Sequence, residues 1–345
     1  MRVYGQNLGV SQLEGSTGHR GPGGATRMAA LATERRRVSE RAADVVGLRQ
    51  DAGEPAHEDW LRRLDTFEQL ELAFDEQDRI LWCFMDPPGR PSVTFKMVQE
   101  GRTLQRSIQQ LFRERPGAAE APIRYMVWSS KIPGIYNLGG DLRLFAELIR
   151  KRDREGLLAY ATACIDVVYG NAVNLDLPLV TIALVRGDAL GGGFECALSC
   201  SLVIAERSAK FGLPEMLFNL FPGMGAYSLI SRRIGAAQAE RIIMSARIYT
   251  AEELYELGLV DVLADDGAGE AAVFDYVEQY GRRHSAHCAV YNVRRRVNPL
   301  GYDELLDVTQ MWVESALALG ESDLRRMERL VAAQERRAAA LGRSA

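Results

Sequence analysis

Three consecutive glycines, Gly191-Gly192-Gly193, constrain this chain more than any other feature because of what flanks them. Before them runs Leu179-Val180-Thr181-Ile182-Ala183-Leu184-Val185, a short apolar stretch bounded by Pro178 and Gly187, as a strand buried on both faces requires. After them come Phe194 and Glu195 and then an apolar stretch that reads as a helix from Cys196 to Ala205. A strand that turns into a helix through glycines lets backbone come close to a ligand. The free amides at the helix start point outward, with the positive end of the helix dipole behind them. That geometry suits an oxyanion, and Glu195 falls in the first helical turn beside it. Neither G-x-x-x-x-G-K-[ST] nor G-x-G-x-x-G occurs here, so the phosphate-cradling motifs are absent from this turn.

The rest of the chain reads as a mixed α/β core followed by a helical tail. Ile80-Leu81-Trp82-Cys83-Phe84-Met85, closed by Asp86-Pro87-Pro88-Gly89, and Tyr125-Met126-Val127-Trp128 are further buried strands. Leu142, Phe145, Leu148 and Ile149 recur at helical spacing after Gly139-Gly140-Asp141. Thr250 and Glu253 form a capping box, Gly258 closes that helix, and Gly320-Glu321-Ser322 separates a helix with Trp312 from one with Leu324, Met327 and Val331. We divide the chain into an N-terminal extension (1–66), a catalytic core (67–264) and a helical C-terminal region (265–345). Residues 1–27 carry seven glycines and almost nothing apolar, so disorder is expected there; Met28 is a candidate start, and Arg35-Arg36-Arg37 reads as a solvated helix face.

Composition narrows the class of protein. With 47% hydrophobic and 26% charged residues the chain is an ordinary globular protein, and a formal charge of -4 leaves no excess positive charge to grip nucleic acid. Five cysteines, with no C-x-x-C pair and no histidine beside Cys196 and Cys200, read as reduced core residues rather than a metal site. No secretory signal is legible at the N-terminus, and no apolar run is long enough to span a bilayer. We therefore expect a cytoplasmic protein with no membrane partner.

Two further segments join the glycine triplet. Phe211-Gly212-Leu213-Pro214-Glu215 places a second carboxylate after a short apolar stretch, followed by Phe221-Pro222-Gly223-Met224-Gly225. Upstream, Tyr136-Asn137-Leu138-Gly139-Gly140-Asp141-Leu142 supplies another glycine turn before a helix. Two glutamates on separate loops around one apolar cavity suit acid/base chemistry at adjacent carbons, one removing a proton while the other handles an oxygen.

The order and spacing of NLGGDL, ALGGGFE and FGLPEMLFNLFPGMGAYSL resemble the crotonase (enoyl-CoA hydratase/isomerase) superfamily over about residues 78–263. Within it, the stretches 137–145 and 217–227 and the tail around Trp312-Val313-Glu314 are most similar to the diffusible signal factor synthases, over roughly residues 67–337. The resemblance implies an α/β fold, a spiral of ββα units with a helical C-terminal region that builds trimers or a dimer of trimers. It implies Glu195 and Glu215 as the catalytic pair and the amides of Leu138 and Gly192 as the oxyanion hole. Gly139, Gly140, Gly191 and Gly223 are expected around the substrate, Met224 and Trp312 along its acyl chain, and Asp141 at a helix start. No cofactor or metal is implied. The substrate implied is a 3-hydroxyacyl thioester of acyl carrier protein or coenzyme A, dehydrated and then hydrolysed to a cis-2-unsaturated fatty acid, a quorum-sensing signal. Arg294-Arg295-Arg296 is a candidate contact for an acidic carrier or a 3′-phosphate. A plain enoyl-CoA hydratase is the alternative enzyme, and a scaffold that binds the receiver domain of a sensor kinase is the alternative of another class.

Overall fold

The computed structural model describes Trp60 and residues 67–115 and 121–341. The expectations for the N-terminal extension, including Met28 and Arg35-Arg36-Arg37, lie outside the described residues apart from Trp60. The chain opens with an antiparallel pair, β1 (Leu70–Asp75) and β2 (Ile80–Met85), and continues into α1 (Phe95–Glu114). It then writes a strand, a second strand and a helix three times. The first unit is β3 (Tyr125–Ser130), β4 (Ile135–Asn137) and α2 (Leu142–Lys151), with α3 (Arg154–Ala172) following. The second is β5 (Val180–Val185), β6 (Asp188–Leu190) and α4 (Gly192–Ser199). The third is β7 (Leu202–Glu206), β8 (Lys210–Gly212) and α5 (Ala226–Ile234), with α6 (Ala236–Ser245) after it. The remaining elements are β9 (Ile248–Thr250), α7 (Ala251–Leu257), β10 (Val262–Ala264), α8 (Gly269–Gly281), α9 (His284–Val297), α10 (Tyr302–Leu317) and α11 (Glu321–Ala340).

The two strands of each unit enter different sheets. One sheet has the order β1-β2-β3-β5-β7-β10, parallel except at β1, and the other is β4-β6-β8-β9. This alternation is the expected spiral of ββα units. Buried on both faces, the first sheet carries two cores at period two: Leu81, Cys83 and Met85 join one cluster, while Ile80, Trp82 and Phe84 join another with Val273, Phe274 and Val277 of α8.

One segment departs from the sequence reading. The helix expected from Cys196 to Ala205 runs instead from Gly192 to Ser199, and Leu202–Glu206 is the fully buried strand β7. Leu202-Val203-Ile204-Ala205 is apolar on both faces, so it fits between two strands as well as it fits a helix, and its neighbours β5 and β10 decide. The capping box at Thr250 and Glu253 is present, with Gly258 at φ +83° as the left-handed stop. Among the described residues, no helix is long and apolar enough to cross a membrane.

The arginine run of α9 is partly engaged within the fold. Arg294 reaches the Ser201 carbonyl and Arg295 the Val173 carbonyl, close to the ends of α4 and α3, where the helix dipoles are negative. A buried polar network ties the layers together: Asn171 of α3 accepts from Gln105 (3.0 Å) and from the Trp128 indole (3.1 Å) and donates to Ser199 (3.2 Å). Asn171→Ala strands two buried donors, so we expect a loss of about 3 kcal/mol in stability, measurable by urea denaturation.

Candidate active site

Two glycine turns from consecutive ββα units meet at the heart of the molecule. The first follows β4, where Asn137 Oδ1 accepts from the Gly139 N–H (2.8 Å) and Asp141 caps α2 by accepting from Leu144 N–H (3.2 Å). The second follows β6, where Gly191 stands at φ +50° ahead of the first helical residue, Gly192. Gly139 stands at φ +94°, and a Cβ there would lie 2.8 Å from the Leu190 carbonyl oxygen, so only glycine allows the turns to touch.

The expected oxyanion amide at Leu138 is not available. Its N–H donates to the Pro91 carbonyl (2.7 Å), and its carbonyl accepts from Gln334 of α11 (2.8 Å), because residues 91–93 run alongside this turn as an added strand. The neighbouring bridge between Val93 and Gly140 uses the Gly139 carbonyl (2.7 Å) and leaves the Gly140 N–H without an acceptor among the described residues. Gly192, as the first residue of α4, likewise keeps an amide that the helix cannot satisfy. A Cβ on Gly192 would sit 3.5 Å from the Gly140 nitrogen, and both glycines line the same cavity. The structure thus brings together Gly140 and Gly192, two residues later in the first turn than the sequence reading placed the partner.

Both glutamates face this cavity. Glu195, fully buried in α4, accepts through one oxygen from the amides of Met224 and Ala226, each at 2.9 Å. Glu215 stands in a 3₁₀ turn, Pro214–Phe218, against the glycine triplet: a Cβ on Gly191 would meet its Oε1 at 2.6 Å. Its Oε2 is shut off from solvent and has no hydrogen-bond partner among the described residues. Burial pushes both carboxyls up, Glu195 to about 7 against the pull of its two amide donors, and Glu215 to about 8 with a further contribution from the charge of Glu195. A carboxyl pair that shares a proton near neutrality can act as acid and base in one turnover.

The other expected residues divide. Gly223, Met224 and Trp312 line the cavity, and a Cβ on Gly223 would lie 2.4 Å from the Trp312 ring, so this glycine lets α10 close over the site. Leu138, Gly139 and Gly191 do not line it; they hold the two turns in contact from behind. The sequence reading missed the opposite wall, where Met97, Val98 and Gly101 of α1 and Val167 and Val168 of α3 line the cavity with Trp128. Nothing in their helical spacing separates them from ordinary core. Apart from the two glutamates and the Tyr160 hydroxyl, which bonds the Val93 carbonyl, the lining side chains are apolar or thiol-bearing. Among the described residues no three His, Cys, Asp or Glu side chains gather as a metal site requires.

Comparison with known proteins agrees with the fold. The sequence profile of the enoyl-CoA hydratase/isomerase family matches residues 168–290. The mitochondrial methylglutaconyl-CoA hydratase of Rattus norvegicus is 35% identical over 155 residues, 45% of this chain and 47% of that protein. The chain spans about half the length of the curated relatives it matches. Among solved structures, an enoyl-CoA hydratase from Bacillus halodurans superposes with a TM-score of 0.61 at 22% identity, covering 76% of this chain and 99% of that one. The human mitochondrial delta3-delta2-enoyl-CoA isomerase gives 0.63 at 16% identity, covering 78% and 99%.

The raised carboxyls set a pH dependence of stability. A carboxyl whose folded value lies above its unfolded one contributes stability that is full below the ordinary carboxylate range and is lost as pH rises through the folded value. Glu215→Gln removes that loss. The variant should match the wild type near pH 4.5 and gain on it progressively to about pH 8, by on the order of 5 kcal/mol at the plateau, in denaturation series across pH.

Proposed function

We propose that this chain is a member of the crotonase superfamily that interconverts 3-hydroxyacyl and 2-enoyl thioesters by adding or removing water. One observation carries the reading: two buried carboxyls of raised pKa share a largely apolar cavity with two free backbone amides. A thioester carbonyl between the Gly140 and Gly192 N–H groups becomes enolate-like when C2 loses its proton, and one such donor is worth about 3–4 kcal/mol in the transition state. In dehydration Glu215 takes the C2 proton, the C3–O bond breaks, and Glu195 gives its proton to the departing hydroxyl, which leaves as water. Hydration runs the same path backwards, starting from a protonated Glu215 and an ionised Glu195. The two amide donors on Glu195 favour that assignment of the shared proton. The reaction needs no cofactor beyond the thioester carrier, coenzyme A or acyl carrier protein.

A finer reading rests on the resemblance of residues 137–145, 217–227 and the Trp312 segment to the diffusible signal factor synthases. In it the enoyl thioester stays in the cavity, water activated by one glutamate adds to the carbonyl, the carrier thiol leaves, and a free cis-2-unsaturated acid is released. The same resemblance supports a trimer or dimer of trimers, and a receiver domain as a secondary partner. The plain hydratase is supported by the names of the relatives.

Incubation with 3-hydroxydodecanoyl thioesters of both carriers, followed by mass spectrometry, separates these readings. Free 2-enoic acid supports the synthase, whereas an equilibrium of enoyl and hydroxyacyl thioesters without free acid supports the hydratase. Glu195→Ala and Glu215→Ala should each lower turnover about 10²–10⁴-fold. Unchanged turnover in either variant would remove that residue from the mechanism.

A further inference from the structure

The wall of the cavity formed by α1 and α3 contains a glycine that helix packing does not require. Gly101 lies inside α1, buried, where glycine costs roughly 1 kcal/mol relative to alanine. A Cβ at this position would rest 3.4 Å from Val167 Cγ2 and 3.7 Å from Trp128 Cη2, which is ordinary contact, so alanine fits without displacement. One turn further along, the two helices are already in close register. Gln105 donates to the Val167 carbonyl (2.9 Å), and a Cβ on Gly170 would fall 2.5 Å from Gln105 Oε1. There the glycine is needed for the helices to approach; at position 101 it is not.

Gly101 brings no side chain to this wall of the cavity. The lining can be followed along α3 from the chemistry outward. Cys164 lines the cavity with Glu195, and Val167 and Val168 lie one helical turn beyond, with Val167 against Gly101. The side chains on this path, with Val98 and Trp128, offer an acyl chain no polar partner other than the indole N–H, which Asn171 already occupies. We infer that Gly101 determines specificity by setting the depth of the acyl pocket, so that side chains at this position measure the length of the chain accepted. The inference rests on the thioester reading proposed above. Each methylene excluded from an apolar pocket costs about tenfold or more in selectivity, so the effect should grow with side-chain size and with acyl length.

The test is a comparison of Gly101→Ala and Gly101→Leu with the wild type, using crotonyl-CoA and 2-dodecenoyl-CoA as hydration substrates. Binding of 2-dodecenoyl-CoA is followed in parallel by calorimetry on Glu195→Gln backgrounds that do not turn over. We expect Gly101→Ala to raise the melting temperature and to lower the ratio of kcat/KM for the long over the short substrate about tenfold. Gly101→Leu should lower it about 100-fold. A ratio unchanged in both variants overturns the inference, and if Gly101→Leu fails to fold, the alanine ratio alone decides. If the wild type turns over neither substrate, the hydratase reading falls by itself. The binding series then still decides Gly101, because a pocket of that depth must bind the long chain less tightly in the variants.

Discussion

Where Asn137–Gly139 meets Leu190–Gly193, neither Gly139 nor Gly193 has room for a side-chain carbon. A Cβ on Gly193 would lie 2.3 Å from the Asn137 carbonyl oxygen, and one on Gly139 would lie 2.8 Å from that of Leu190. This backbone contact fixes where the Gly140 and Gly192 amides stand relative to each other. The added strand at residues 91–93 then consumes the Leu138 N–H and leaves the one at Gly140 exposed to the cavity. Such precision from backbone alone is what an oxyanion site needs, because a main-chain donor held by strands on both sides cannot swing away.

The two glutamates are held by opposite means. Glu195 is fastened by amides of the loop that leads into α5, so its position depends on the Phe221–Gly225 turn and through Gly223 on Trp312 of α10. Glu215 is wedged against Gly191 with one oxygen unsatisfied. A buried carboxyl without a partner is costly to ionise, and the fold carries that cost at the wall of the cavity. The long apolar clusters on both faces of the six-stranded sheet supply the stability that makes it tolerable.

The C-terminal helices belong to the site as much as to any surface. Trp312 of α10 closes the cavity, while Gln334 of α11 holds the Leu138 carbonyl and Ala338 packs with Leu138, Ile132 and Ile135. Ion pairs from Arg143 to Glu335 and from Arg150 to Glu321 and Glu328 keep α11 on α2. The helical tail therefore braces the Leu138–Gly140 turn from the side away from the cavity.

Much of this was legible in sequence. The short apolar runs at 80–85, 125–128 and 179–185 announce buried strands. Glycines preceding Glu195 and Glu215 announce backbone-lined turns, because strand burial and left-handed backbone leave strong local signatures. Residues 202–206 were misread because an apolar run without a period fits either element, and only its neighbours β5 and β10 settle it. The sequence by itself determined which residue types the site would contain: two carboxyls, free amides at a helix start, and glycines to bring them close. Only the tertiary structure decided that the Leu138 N–H is taken while that of Gly140 has no acceptor among the described residues, that α1 and α3 form the far wall, and that Gly101 lies in it. Hydrogen-bond competition and the spacing of helices distant in sequence are pairwise properties of the folded chain, and no local pattern encodes them.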